Sequence, residues 1–369
     1  MGISVGIVGL PNVGKSTLFN SLSSAKAEAA NYPFCTIEPN VGVVMVPDPR
    51  LSALDSVVKA EKVVPTAIQF VDIAGLVRGA SKGEGLGNQF LSHIREVDAI
   101  VQVARCFEDS NVIHVENKVD PVADIQTVTT ELCLKDLDTV QKRLERARKL
   151  GKGAGPAIER LAVEICEGLV KHLDEAKPAR SFKLPDAVDA HIVLRDMQLL
   201  TAKPAFYVAN VDEASLADPT ANKHYQALAA LAAGEGAKIV PVCANLEAQI
   251  AELPPEDRQE FLESVGLKEP GLNAVVRAGY ETLDLLTFFT AGKVEVRAWT
   301  TVKGAKAPQA AGVIHTDFER GFIKAEVIWW EDWVKLGNEA KCKEMGKMSL
   351  EGKEYVMRDG DVVHFKFNV

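Results

Sequence analysis

No two cysteines in this chain stand close enough to form a C-x-x-C pair. The six, Cys35, Cys106, Cys133, Cys166, Cys243 and Cys342, are scattered, several of them in apolar runs. That spacing argues against a disulfide framework and for buried, reduced thiols. No apolar run approaches the ~18 residues of a membrane span. The N-terminus enters an apolar strand at once, without the regions of a secretory leader, so a cytoplasmic protein with no membrane contact is expected. Positive charge is not in excess: 42 Lys and Arg against 51 Asp and Glu leave a formal net charge of −9. The molecule as a whole is therefore no basic nucleic-acid binder, and any RNA contact needs a local patch. Internal repeats and low-complexity tracts are absent. What is present is an ordinary globular composition, 47% hydrophobic and 25% charged over 369 residues, enough for two or three domains.

Strand and helix signals alternate at the start. Ile3 to Val8 reads as a buried strand, a Gly-rich loop follows, and Ser16 to Ser24 reads as a helix. Gly42 to Val46, Ile68 to Ile73 and Ala99 to Val103 read as further strands, and Ala205 to Ala209 and Ile239 to Val242 resume the series. This alternation predicts an α/β doubly wound, mostly parallel sheet. Between its halves, Leu132, Leu134, Leu137, Val140 and Leu144 recur at helical spacing. Ile158, Leu161, Ile165, Leu169 and Leu173 repeat it after a turn at Gly151 to Pro156. The pattern predicts an inserted αα-hairpin. From Leu283 onward, β-branched and aromatic segments with Gly turns (Val294 to Thr301, Gly312 to His315, Phe322 to Trp330, Val362 to Phe367) predict a small α+β domain. The expected division is residues 1–123 with 200–282, residues 124–199, and residues 283–369.

Gly9-Leu10-Pro11-Asn12-Val13-Gly14-Lys15-Ser16 fits G-x-x-x-x-G-K-[ST], directly after a strand and before a helix. Glycines in such a loop let several N–H groups point inward, and with the helix N-terminus they cradle phosphates. Asn12, Val13, Gly14, Lys15, Ser16 and Thr17 are thus the expected phosphate ligands. Lys15 would reach the β/γ-phosphates and serve catalysis, and Ser16 would place its hydroxyl on Mg²⁺. Asp72-Ile73-Ala74-Gly75 closes another apolar strand. Asp72 would hold the metal, directly or through water, and the Gly75 N–H would sense the γ-phosphate. Thr36 is the candidate switch hydroxyl that joins the metal shell when the γ-phosphate is present.

A guanine reader usually has the form N-K-x-D, and Asn117-Lys118-Val119-Asp120 matches as a string. It follows a polar stretch and precedes Pro121, whereas a base reader should end a buried strand, so the match is set aside. Asn210-Val211-Asp212-Glu213 meets that condition after Phe206 to Ala209. Here Val211 replaces the lysine and Glu213 the final aspartate. The longer acid weakens a guanine clamp, and adenine, lacking N1–H and a 2-amino group, leaves no such clamp unpaired. Asn210 can hold the loop or bond the base, Val211 can stack on it, and Cys243, Ala244 and Asn245 offer donors to the purine edge. A degenerate but GTP-selective site stays open. The glutamine that orients water in Ras-type GTPases is also missing, its place taken by Leu76. His114, in the mobile-looking loop Asp109 to His114, is a candidate for proton handling. An ordinary surface histidine is the other reading.

GLPNVGKSTLFN from Gly9, ANYPFCTIEPNVG from Ala30, DIAGLVRGAS from Asp72 and HVENKVDP from His114 resemble the YchF / Obg-like ATPase family. So do FFTAGKVEVRAWT from Phe288, APQAAGVIHTDFERGFI from Ala307 and GKEYVMRDGDVVHF from Gly352, in the region that looks like the family's TGS domain. The resemblance spans essentially the whole chain. It implies a P-loop domain, a helical insertion and a β-grasp-like TGS domain, with ATP preferred over GTP, slow hydrolysis, Mg²⁺ as cofactor and Val211 at the base. It also implies association with the ribosome, either its large subunit or the whole particle. The expected molecule is a monomer that switches with nucleotide state and reports it to protein partners through the helical and TGS domains. Lys142 to Lys152 form a basic helix end that can touch rRNA. The competing expectations are a GTP-specific translation factor and a non-catalytic, nucleotide-stabilised scaffold. A metabolic kinase is disfavoured, because no acceptor pocket or catalytic aspartate signature is visible.

Overall fold

The computed structural model describes residues 3–24, 40–73, 86–115, 118–152 and 156–368. Among these residues there are two six-stranded sheets. The strands in chain order are β1 (Ser4–Val8), β2 (Val41–Met45), β3 (Lys62–Val64), β4 (Ala67–Asp72), β5 (Ala99–Arg105), β6 (Ala205–Asn210), β7 (Ile239–Val242), β8 (Leu285–Ala291), β9 (Glu295–Val302), β10 (Phe322–Trp329), β11 (Met348–Glu351) and β12 (Asp361–Phe367). The chain divides into two compact units, Met1–Val44 with Gln69–Gly279 and Met45–Ile68 with Tyr280–Val369.

The first unit holds the sheet β2-β4-β1-β5-β6-β7. β1 runs parallel to both β4 and β5, β5 to β6, and β6 to β7. Every residue of β1, β5 and β6 is buried, as expected where helices cover both faces of a parallel sheet. Because β1 lies between β4 and β5, the strand order reverses beside it. Loops leaving the carboxyl ends of the strands on either side of such a point diverge and open a crevice.

A long hairpin is inserted between β5 and β6. Helix Pro121–Leu150 has 30 residues, about 45 Å at 1.5 Å per residue, and helix Ala157–Asp174 returns along it. Cys133, Val140, Leu144 and Ala147 pack with Ala162, Ile165, Cys166, Leu169 and Leu173. Leu134, expected in that stripe, is exposed and Cys133 takes the inward place. The helix starts where Asp120 accepts from the Ala123 N–H at 3.1 Å, with Pro121 following at a position that needs no donor. The aspartate of the spurious N-K-x-D string is therefore a helix cap. Buried Asp136 fastens the hairpin to the chain re-entering the sheet, accepting from the Leu200 and Thr201 N–H groups and the Thr201 hydroxyl at 2.7–2.8 Å. Burial raises its pKa, against these bonds.

The second unit holds the mixed sheet β11-β10-β12-β8-β9-β3. Sequence reading drew no boundary at Met45, yet Met45–Ile68 belongs to this unit. Leu51 and Leu54 pack with Phe289, Val296 and Trp333, and β3 extends the sheet beside β9. Arg50 locks the segment by bonding Asp48 at 2.7 Å and Asp359 at 2.6 Å. Gly312 to His315, one of the β-branched segments of the α+β region, lies in helix Ala307–Ile314 and its C-cap. The reason is local: Ala307, Ala310 and Ala311 are fully buried, and alanine favours helix. The Lys306 N–H is also capped by Gln309 at 2.8 Å.

Candidate functional site

The loop after β1 is shaped by three residues with uncommon backbone demands. Asn12 has φ +63°, in the left-handed region that asparagine tolerates better than most side chains. Gly14 has φ +97°, and a Cβ there would stand 2.2 Å from Asn210 Nδ2. A Cβ on Gly9 would meet the Val103 carbonyl at 2.5 Å. Substitution at either glycine therefore moves backbone or the neighbouring strand end. The loop feeds helix Lys15–Ser24, so the first amides of that helix point where phosphate oxygens would lie. Ser16 and Thr17 stand at this start, Ser16 exposed and Thr17 half-buried.

Lys15 is 8% exposed and its Nζ donates to the Leu10 carbonyl at 2.7 Å. Burial lowers its pKa to about 8, with the negative charge of Asp72 partly opposing. Asp72, at the end of β4, is pushed up by burial and held down by Lys15. Its Oδ1 is buried without a hydrogen-bond partner among the described residues. A carboxylate oxygen desolvated in that way is unfavourable unless a cation or donor joins it. A carboxylate and a hydroxyl are the hard oxygen donors that Mg²⁺ prefers, so the chemistry of Asp72 and of the exposed Ser16 suits the ion. Thr36, Gly75 and Leu76, named as metal ligand and switch residues, lie outside the described residues, as does Asn117.

The base side is assembled from the ends of β5, β6 and β7. Asn210 is 4% exposed. Its Nδ2 donates to the Val13 carbonyl at 2.9 Å and its Oδ1 accepts from the Ala244 N–H at 3.1 Å. It thus staples the phosphate loop to the loop after β7, and both ends of its amide are occupied in doing so. The Val211 side chain does not present an open stacking face: the residue is 1% exposed and packs with Ala104, Cys106, Tyr207 and Leu228. Asp212 caps the next helix, accepting from the Ser215 N–H at 2.8 Å. Glu213 is exposed at the start of that helix. Cys243 and Ala244 are buried and Asn245 is exposed. Burial raises the Cys243 thiol, keeping it protonated and unreactive. Asn210, Val211, Asp212, Glu213, Cys243 and Asn245 line a cavity of about 470 Å³ with Phe107 to Ser110.

His114 is not a surface histidine. It is 6% exposed, and its Nε2 lies 2.9 Å from Asp124 Oδ2 in helix Pro121–Leu150. An ionised carboxylate only accepts, so this contact puts a ring proton on Nε2. The loop before it, read from sequence as mobile, is held from below. Arg105, the last residue of β5, bonds the carbonyls of Phe107, Asp109 and Val112. Asn12 Nδ2 donates to the Ile113 carbonyl at 3.1 Å, joining this loop to the phosphate loop. Sequence reasoning missed Arg105 and Asp124. The available signal was a lone arginine ending the fully apolar-flanked strand Ala99–Arg105.

A family model described as 50S ribosome-binding GTPase matches residues 4–140. The model of the YchF GTPase C-terminal region, described as a protein of unknown function, matches residues 285–368. The chain is 54% identical to the "Ribosome-binding ATPase YchF" of Bacillus subtilis over 369 residues, covering 100% of both chains. It is 54% identical, with the same coverage, to the protein of that name from Haemophilus influenzae. Among solved structures it is similar to the Schizosaccharomyces pombe YchF GTPase, with a TM-score of 0.87 and 38% identity over 99% of this chain and 98% of that one.

Proposed function

The chain belongs to the YchF family, and from that premise we propose that it is a cytoplasmic, ribosome-associated ATPase that needs Mg²⁺ and works as a slow nucleotide-dependent switch. The observation that carries the reading is the paired Lys15 and Asp72 beside the loop after β1: a lysine of lowered pKa, and a carboxylate whose Oδ1 is buried with no partner among the described residues. On this reading the amides of residues 12–17 bind the phosphate chain, and Lys15 Nζ leaves the Leu10 carbonyl for the β/γ-phosphates. Ser16 and Asp72 would hold the metal, with Thr36 joining when the γ-phosphate is present. The chemistry such an ion would supply there is neutralisation of negative charge on the phosphate chain.

Preference for adenine is supported by the acids left at the base end. Asp212 is engaged as a cap, Asn210 as a staple, and only the longer Glu213 remains where a guanine clamp needs an aspartate. A purine edge would meet main-chain groups of the loops after β6 and β7. Leu76 cannot orient water. His114 is the residue we assign to proton handling. The terminal sheet is read as a TGS-type domain. In the hairpin tip, Lys142, Arg143 and Arg148 pair with Asp138, Glu159 and Glu167. A contact with rRNA would therefore rely chiefly on neighbours such as Arg146, Lys149 and Lys152.

Co-sedimentation with ribosomes tests the reading. Wild-type protein should pellet with ribosomes to an extent that differs between Mg–ATP and Mg–ADP, and Lys15→Ala should lose that difference. Equal pelleting in both nucleotide states, together with turnover that ribosomes leave negligible, would instead favour the scaffold.

A further inference from the structure

Arg105 carries a full charge yet is only 1% exposed. Its Nε donates to the Phe107 carbonyl at 3.0 Å, Nη1 to Val112 at 2.8 Å and Nη2 to Asp109 at 3.0 Å. The guanidinium carbon lies 4.7 Å from the centroid of the Phe107 ring. Burying a guanidinium is costly unless its donors are met. Here all three nitrogens address main-chain carbonyls within one six-residue stretch, and only a planar fork can reach them together.

That stretch is a wall between two cavities. Phe107, Glu108, Asp109 and Ser110 face the base cavity of about 470 Å³. Asp109, Val112, Ile113 and His114 face a second cavity of about 560 Å³. The wall is fastened to both ends of the nucleotide site. The Cys106 N–H donates to the Asn210 carbonyl at 2.7 Å, and the Ile113 carbonyl accepts from Asn12 of the phosphate loop. Arg105 also sits opposite Asn210 in the β5–β6 register, so the strand end carrying the guanidinium is the one beside the base loop.

We propose that Arg105 is a positioning residue for the purine: it holds residues 107–112 as the fixed side of the base cavity, while the phosphate loop binds independently of it. This rests on the reading of residues 210–213 and 243–245 as the base side. The test uses the full chain with Arg105→Lys and Arg105→Met. It measures displacement of a fluorescent nucleotide by Mg–ATP, Mg–GTP and Mg–tripolyphosphate, together with amide hydrogen exchange. Exchange across 107–113 should rise about tenfold or more while β6 stays protected. Affinity for Mg–ATP should fall about five- to tenfold, and affinity for Mg–tripolyphosphate should stay within about twofold of wild type. Parallel loss of ATP and tripolyphosphate would overturn the proposal, because it would mark general destabilisation. Unchanged exchange with unchanged ATP affinity would overturn it as well. If the methionine variant does not fold, the lysine variant, which keeps the charge but not the fork, yields the same three readings. A wild-type preference for GTP would sink the adenine reading alone, and the split between purine nucleotide and tripolyphosphate would still decide the role of Arg105.

Discussion

The two ends of the nucleotide site are built in different ways. The phosphate end is one continuous strand, loop and helix from β1 through Lys15–Ser24, and its donors are main-chain amides. The end we assign to the base is a junction of the segments that follow β5, β6 and β7, joined by one buried amide, Asn210, and one buried guanidinium, Arg105. A local peptide can hold charge wherever it folds. Reading a purine needs distant strand ends brought into register. Triphosphate affinity should therefore follow a few local residues, and base choice should follow the packing that holds the junction together.

The largest effect tests the local end. Lys15→Ala should cost roughly 100-fold or more in turnover, the scale of losing a charged transition-state donor, with folding intact. A steady-state assay beside a melting curve checks this, and a loss below tenfold would mean the phosphate end does not depend on its lysine. Asn210→Ala reaches across both ends, because it orphans the Val13 carbonyl and the Ala244 N–H. It should destabilise the fold by about 2–6 kcal/mol at about 1–3 per unsatisfied buried group, read by urea unfolding, and weaken ATP and tripolyphosphate alike. If only ATP weakened, the staple would not reach the phosphate loop.

The pH dependence separates the ends further. Burial holds Lys15 near 8, and Asp72 partly opposes it. A triphosphate favours the protonated amine. Mg–ATP affinity should therefore be flat below about pH 7.5 and fall toward about tenfold per pH unit above about 8. Lys15→Met should flatten the profile. In the protein without nucleotide the same shift is unfavourable at neutral pH. Between about 8 and 10.5 the unfolded chain binds the proton more readily, so this contribution lifts as pH rises through that window. The smallest effect belongs to Glu213→Asp, which restores the shorter acid. It should shift the ATP-to-GTP affinity ratio toward GTP by about three- to tenfold in a competition assay.

The same contrast explains what could be read before the fold was known. The phosphate loop, the buried strands and the hairpin were legible because each is set by a short contiguous pattern. Asp120 was set aside as a base reader because a polar stretch, not a strand, precedes it, and it caps helix Pro121–Leu150. Val211 was read as able to stack on the base; just past the end of β6, its side chain is buried with Ala104, Cys106, Tyr207 and Leu228. The His114 loop read as mobile from its polar residues. Its order comes from Arg105 and from Asn12, which is 101 positions from Ile113, and no local pattern encodes such a contact. The attachment of Met45–Ile68 to the second unit was invisible for the same reason, since β3 finds its partner β9 only in the folded chain.

Titration of the purified protein with Mg–ATP and Mg–GTP side by side is the most direct test of the base end. With Asn210 engaged as a staple and Glu213 as the acid that remains, ATP should bind several-fold more tightly than GTP. Equal or tighter binding of GTP would contradict the account.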